Sequence, residues 1–108
     1  MERVFVYGSL QPGGSNEHVL AGGEGTWEPA VVRGRLVEEG WGATLGYPAL
    51  VLDASAGEVP GHVLTSSHLV GLWADLDAFE GSGYERVTAS ATLGSGAQVS
   101  VEVYVLRT

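Results

Sequence analysis

The stretch S-H-L-V-G-L-W-A-D-L-D-A-F-E, residues 67–80, carries the clearest helical pattern in the chain. Its apolar side chains recur at the i, i+3, i+4 and i+7 spacing of one buried helical face, which predicts a helix over Ser67–Glu80. The residues on that face are Leu69, Leu72, Trp73 and Leu76. No other stretch predicts a helix of this length, so we expect strands arranged around one main helix.

Glu80, the last residue of that helix, stands where the pattern calls for another apolar side chain. At about 100° per residue it falls within about 20° of Leu69, whereas Asp75 and Asp77 fall off the face, where solvated charges belong. A carboxylate aimed inward is costly unless it is paired or its pKa is raised, so Glu80 is a candidate for acid/base catalysis. The alternative is that Glu80 turns to water at the helix end, where Gly81 is a plausible terminating residue.

Short apolar runs separated by glycine-rich turns make up the rest of the chain. They predict strands at Val4–Tyr7, Val31–Val37, Ala49–Leu52, Val59–Leu64, Tyr84–Leu93 and Gln98–Leu106. We also expect a helical turn at Asn16–Leu20, an edge or irregular strand start at Pro60, and a hairpin turn at 94–96. In the last strand one face holds Val99, Val101, Val103 and Val105, and the other holds Ser100, Glu102 and Tyr104. About six strands and one helix predict an α+β fold, a small mixed β-barrel that is closed or nearly closed.

Length and charge limit the classes of protein and partner. The 108 residues predict a single domain, 1–108. The net charge is −8 and all five basic residues are arginines, which argues against nucleic acid or an anionic membrane as a partner. This balance does not exclude small anionic ligands, because one arginine in a pocket can hold a carboxylate. The N-terminus shows no signal-peptide pattern and no apolar run reaches membrane-spanning length, so we expect a cytoplasmic protein.

Several chemistries lack the residues they need. The absence of cysteine excludes disulfides and thiolate catalysis. His18, His62 and His68 lie in three different segments without the spacing of a zinc site, so we expect no metal. The chain has no lysine and therefore no P-loop, and it has no G-x-S-x-G nucleophile motif. No cofactor is expected.

The loop after the first strand, Tyr7–Leu10, is a second candidate for ligand binding. A glycine at Gly8 allows a ligand to approach the backbone closely. Successive N–H groups in such a turn can hold a carboxylate or an oxyanion. The alternative is a plain strand-to-loop turn, which glycine also serves.

Three separated motifs, in matching order, resemble the γ-glutamylcyclotransferase-like superfamily. The first runs from Val4 to Leu10, with Gly13 following, and looks like the ligand loop Tyr-Gly-[Ser/Thr]-Leu-x-x-Gly. The second, 46–51, is similar to the Tyr-Pro-Ala strand entry of that superfamily. The third, 76–87, is similar to its Leu-Asp-x-Phe-Glu-Gly…Tyr-x-Arg signature. The resemblance implies a small mixed β-barrel with flanking helices and a cavity at one end.

The resemblance also implies roles for individual residues. It places the acid/base glutamate of the superfamily on Glu80, the residue that the helical pattern had singled out. The residues expected to hold or line the substrate are Tyr7, Gly8, Ser9, Leu10, Tyr84, Arg86 and Tyr104. Among them Tyr84 is expected to line the pocket and Arg86 to have a structural or charge-balancing role, with simple packing in the barrel as the alternative for both. Tyr104 is a weaker candidate for the pocket wall.

The resemblance implies a cyclotransferase, an enzyme of the lyase or transferase class that converts a γ-glutamyl amide to 5-oxoproline and releases an amine. The alternative is a non-catalytic, or differently catalytic, small-molecule binding protein on the same fold, since the superfamily looks to include bacterial members of unassigned activity. The chain ends at Thr108 with no tail to fold over the pocket, which favours the alternative. An inward-facing Glu80 favours the enzyme. A pure protein-interaction module finds no exposed amphipathic stripe in its support.

Overall fold

The computed structural model of the chain describes residues 2–8, 10–12, 25–37 and 49–106. Within them the elements are, in chain order, β1 (Glu2–Val6), β2 (Thr26–Val37), β3 (Ala49–Leu52), β4 (Glu58–Ser66), a 3-10 helix (Leu69–Gly71), α1 (Trp73–Glu80), β5 (Tyr84–Leu93) and β6 (Gln98–Leu106). The predicted helical turn at Asn16–Leu20 and the first half of the predicted motif at 46–51 lie outside the described residues.

Five strands close into a barrel in the order β2-β4-β1-β6-β5, with β5 returning to β2. The closing pairs are Ala30 with Leu93 and Val31 with Thr92. All neighbours are antiparallel except β1 and β6, which run parallel. β3 pairs with the last four residues of β2 and extends the sheet beyond the barrel. The predicted α+β fold, a small mixed β-barrel with one main helix, is therefore confirmed.

Two apolar clusters occupy opposite faces of the sheet, because successive side chains of a strand point to opposite sides. The inner cluster fills the barrel, with buried side chains that include Phe5, Val63, Val101, Val103 and Val105. The outer cluster lies under the helical segment, and its buried residues are Val4, Val6, Leu10, Leu64, Leu69, Leu76 and Tyr104. The predicted alternation in β6 is seen here: its valines face inward, and Tyr104 is buried on the outer side because the helix covers that end of the strand.

The helical segment is shorter than the predicted helix over Ser67–Glu80. A 3-10 turn, Leu69–Gly71, precedes α1, which has 8 residues. Gly71 stands at the break, since glycine costs about 1 kcal/mol relative to alanine inside an α-helix. The Ser66 hydroxyl accepts the N–H of His68 at 3.0 Å, so the chain turns there before the α-helix begins.

The burial of the helical segment follows the predicted apolar face in part. Leu69 and Leu76 are fully buried, whereas Leu72 and Trp73 are half-buried at the margin of the outer cluster. The α-helix ends at Gly81, which has a φ of 82° and donates its N–H to the carbonyl of Asp77 at 3.0 Å. None of the helices in the described part of the chain has the length and apolar character needed to cross a membrane.

Three strands have boundaries that differ from the prediction: β1, β2 and β4, of which β4 runs from Glu58 to Ser66 rather than from Val59 to Leu64. β2 begins at Thr26 rather than Val31, because its first residues pair with β4 although their sequence is polar and contains a proline. β1 begins at Glu2 and ends one residue before Tyr7. Pro60 is partnered with Val31 of β2, and the ladder between β4 and β1 starts two residues later, at His62, so Pro60 lies at a local edge on the β1 side.

Candidate functional site

Glu80 is the last residue of α1. Its side chain is half-buried, and this burial raises the pKa of Glu80 to about 7. Its charge acts on two tyrosine hydroxyls. Burial is the main reason that the pKa of Tyr7 is raised, and the charge of Glu80 adds to it. Burial and the hydrogen bond to Asp77 raise the pKa of Tyr104, and the charge of Glu80 again adds to the effect. The structure therefore brings a carboxylate that titrates near neutrality together with two predicted site residues.

Tyr7, the residue after β1, connects three parts of the barrel. Its hydroxyl donates to the carbonyl of Tyr104 in β6 at 2.8 Å and accepts the N–H of Leu50 in β3 at 3.1 Å. Its ring stacks on Phe5, with the two centroids 6.3 Å apart. Because its proton is given to a backbone carbonyl, this hydroxyl presents only an oxygen to any further partner.

The loop that begins at Gly8 is held by a turn and by one side chain. The carbonyl of Gly8 accepts the backbone N–H of Gln11 at 3.1 Å and the Gln11 side-chain amide at 3.3 Å. The amide oxygen of Gln11 lies 2.8 Å from Nδ1 of His62 in β4. Leu10 packs into the outer cluster, so a ligand would meet its backbone. The predicted site residue Ser9 lies outside the described residues.

Asp77 is a site neighbour that the helical pattern missed. The pattern placed it among solvated charges, but its Oδ1 accepts the hydroxyl of Tyr104 at 2.6 Å and Nε of Arg86 at 3.0 Å. Its Oδ2 accepts Nη2 of Arg86 at 3.3 Å. The Tyr104 hydrogen bond, followed by the Arg86 contacts, lowers the pKa of Asp77. The available signal was its spacing, four residues after Trp73 and three before Glu80, on one side of a helix.

Arg86, on β5, makes its contacts within the protein. Besides the pair with Asp77, its Nη1 lies 3.5 Å from Oε1 of Glu102, and its guanidinium carbon lies 4.6 Å from the centre of the Trp73 ring. The second oxygen of Glu102 accepts the Thr88 hydroxyl at 2.6 Å. Two carboxylates thus share the charge of Arg86. A direct contact between Arg86 and a substrate stays a prediction.

Tyr84 and Tyr104 come from the two last strands, and the backbone carbonyl of Tyr104 accepts the Tyr7 hydroxyl. Both side chains are buried, with 7% and 4% of their surface exposed. Tyr84 contributes to the raised pKa of Tyr7, after burial and together with Glu80, so it lies in the same neighbourhood. Among the described residues, no group of three or more histidine or acidic side chains is arranged to hold a metal ion.

Comparison with known protein families identifies one family over nearly the whole chain. The family model described as gamma-glutamyl cyclotransferase, AIG2-like, matches residues 4–108. No curated protein sequence matches the chain.

Solved structures share the fold over nearly the whole chain. An AIG2-like protein from Mus musculus is 25% identical with a TM-score of 0.76, over 100% of this chain and 78% of its own. A protein from Arabidopsis thaliana is 32% identical with a TM-score of 0.68, over 97% of this chain and 61% of its own. YkqA from Bacillus subtilis is 26% identical with a TM-score of 0.75, over 98% of this chain and 36% of its own. The chain therefore spans little more than a third of YkqA and about three-fifths of the Arabidopsis protein.

Proposed function

Since the chain belongs to the AIG2-like gamma-glutamyl cyclotransferase family, we propose that it converts a γ-glutamyl amide to 5-oxoproline and releases the amine. The observation that carries this proposal is the half-buried carboxylate of Glu80, whose pKa burial raises to about 7 and whose charge contributes to the raised pKa of Tyr7. A general acid/base works best when its pKa lies near the pH at which it operates. We assign that role to Glu80.

The reaction needs one molecule of substrate and no second nucleophile. The α-amino nitrogen forms a bond to the γ-carbonyl carbon of the same molecule, and the bond from that carbon to the departing nitrogen breaks. Glu80 accepts the proton that the attacking amine loses and delivers it to the departing nitrogen. Orientation of the two ends of the substrate contributes up to about 7–11 kcal/mol, and proton transfer typically ~10²–10⁴-fold.

The backbone of the Tyr7–Leu10 loop is the proposed binding element for the substrate carboxylate or for the oxyanion of the reaction. The Gly8 carbonyl accepts the backbone N–H and the side-chain amide of Gln11, which supports a fixed position for the backbone at Gly8. Arg86 is already balanced by Asp77 and Glu102, so backbone donors are better placed than a guanidinium for this task. Tyr84 and Tyr104 would form the wall of the site. The small-molecule partner, the absence of a cofactor and the cytoplasmic location stay predictions from the sequence.

The test is a panel of γ-glutamyl amides whose leaving groups are an amino acid, a polyamine and the ε-amine of lysine. We expect 5-oxoproline from at least one of them by mass spectrometry, and a loss of about 10²–10⁴-fold in kcat for Glu80→Gln, which keeps the shape and removes the proton transfer. Asp75→Asn is the matched control, because it neutralises an exposed carboxylate on the same helix.

Two results would contradict the proposal. Equal turnover by the wild type and Glu80→Gln would remove Glu80 from the mechanism. Retention of a γ-glutamyl amide without any 5-oxoproline would favour the small-molecule binding protein.

A further inference from the structure

Arg86 contacts α1 at two residues that precede Glu80 by one and two turns of the helix, Asp77 and Trp73. Its guanidinium lies 4.6 Å from the centre of the Trp73 ring, and it pairs through Nε and Nη2 with Asp77. A planar cation that stacks on a ring and binds a carboxylate with two nitrogens has a defined plane and direction. Arg86 therefore restrains both the rotation of α1 and its position along β5. Glu80 follows on the next turn.

A second set of contacts joins the same carboxylate to the far side of the site. The Tyr104 hydroxyl donates to Asp77 at 2.6 Å, and the Tyr104 carbonyl accepts the Tyr7 hydroxyl at 2.8 Å. Tyr7 in turn accepts the N–H of Leu50 at 3.1 Å. Asp77 thus links α1 to the two tyrosines on which the charge of Glu80 acts.

We propose that Asp77 and Arg86 form a positioning pair, which holds the last turn of α1 against Tyr104 and thereby fixes the carboxylate of Glu80 at the Tyr7 end of the barrel. This inference rests on the proposed function of Glu80. Asp77 itself exchanges no proton with the substrate, because Tyr104 and Arg86 already donate to its oxygens and keep it ionised.

The competing explanation is a salt bridge that contributes to stability alone. The side chain of Asp77 is 46% exposed and that of Arg86 27% exposed, and exposed ion pairs contribute little to stability. Loss of a bridge of that kind would lower the free energy of unfolding without changing the titration midpoint of Glu80. A positioning pair would change the reaction and the surroundings of Glu80 by more than it changes unfolding.

Tyr104→Phe tests this with the smallest change, because it keeps the ring, the backbone carbonyl that Tyr7 uses, and the charge of Asp77. We expect kcat for the γ-glutamyl amide to fall about 10- to 100-fold, as for a displacement of about 1 Å, with KM within about threefold. We also expect the titration midpoint of Glu80, followed by NMR of the labelled side-chain carboxyl, to fall by about one pH unit. Removal of a hydroxyl by itself would make the surroundings less polar and raise that midpoint, so a fall reports movement of the carboxylate toward water.

Asp77→Asn is the second variant, and its position on the exposed side of α1 favours normal folding. We expect the same loss in kcat. Thr88→Val is the matched control, because it removes a 2.6 Å hydrogen bond to Glu102 at the far end of the same network. This variant is expected to keep both kcat and the Glu80 midpoint of the wild type.

The proposal is overturned if Tyr104→Phe and Asp77→Asn fold like the wild type and leave kcat and the Glu80 midpoint unchanged. It is also overturned if they lower stability alone. Failure of the proposed function looks different: Glu80→Gln would then turn over like the wild type, or no amide would react. In that case the Glu80 midpoint in Tyr104→Phe still decides whether the pair positions Glu80.

Discussion

The stability of the folded protein depends on whether Glu80 is protonated. Burial raises its pKa from 4.5 to about 7 in the folded protein. Between these two values the folded state holds a proton that the unfolded chain releases, so a rise in pH favours unfolding. The contribution of the protonated side chain to stability is fully present below about pH 4.5 and is lost as the pH rises through about 7.

Glu80→Gln removes this dependence, because an amide stays neutral at every pH. The free energy of unfolding of the variant minus that of the wild type is expected to increase by roughly 1–3 kcal/mol between about pH 4 and pH 8.5. Urea unfolding of both proteins across that range measures the difference. Asp75→Asn, which neutralises an exposed carboxylate on the same helix, is measured beside it as the control. A constant difference for Glu80→Gln would mean that its carboxylate titrates as it does in water.

The candidate site divides into residues that the sequence could indicate and residues that it could not. Glu80 interrupts an apolar pattern. The spacing of residues within one helix is enough to identify a carboxylate on its buried side. Asp77 sits off that side, and its partners Tyr104 and Arg86 come from strands 27 and 9 residues away. Their convergence depends on how the barrel closes, which no local spacing contains. The place of Ser9 in the site stays a prediction.

At the scale of elements, two glycines delimit the helix that presents Glu80. Gly71 ends the 3-10 turn, and Gly81 ends α1 with φ 82° and ψ −175°. Side chains other than glycine rarely adopt that second conformation, whereas no positive φ restricts Gly71. The apolar pattern predicted the helix but not the break at Gly71, because Leu69 and Leu76 keep their burial on either side of it.

Alanine at these two glycines should act in opposite directions. Gly81→Ala is expected to destabilise the protein by roughly 1–3 kcal/mol through backbone strain, and to lower turnover because Glu80 is the preceding residue. Gly71→Ala meets no atom within 4 Å and is expected to be neutral or to stabilise by up to about 1 kcal/mol. Thermal or urea unfolding of both variants measures this. Equal effects of the two substitutions would show that the conformation of Gly81 is not what ends α1.

At the scale of the whole molecule, the barrel brings the two ends of the chain together. β1 pairs in parallel with β6 through Val4 with Glu102 and Phe5 with Val103. This pairing places Tyr7, just after β1, beside Tyr104 in β6. Alternating apolar residues predicted where the strands lie and which face of each is buried. They did not predict which strands pair with each other, because alternation within one strand carries no information about its neighbour. The site forms at the junction of early and late segments, so it depends on closure.

Gly61 lies where β4 separates from β1, and it tests that closure. A Cβ at this position would collide with the Val6 carbonyl and come within 2.6 Å of the Phe5 ring, both in β1. We expect Gly61→Ala to destabilise the protein by about 1–3 kcal/mol or more, because β1 must shift away from β4 and carries Tyr7 with it. Gly57→Ala, in the turn before β4, meets no atom within 4 Å and should change stability by less than about 0.5 kcal/mol. Urea unfolding with hydrogen exchange of β1 amides separates the two, and unchanged protection of β1 in Gly61→Ala would show that the barrel closes without this close approach.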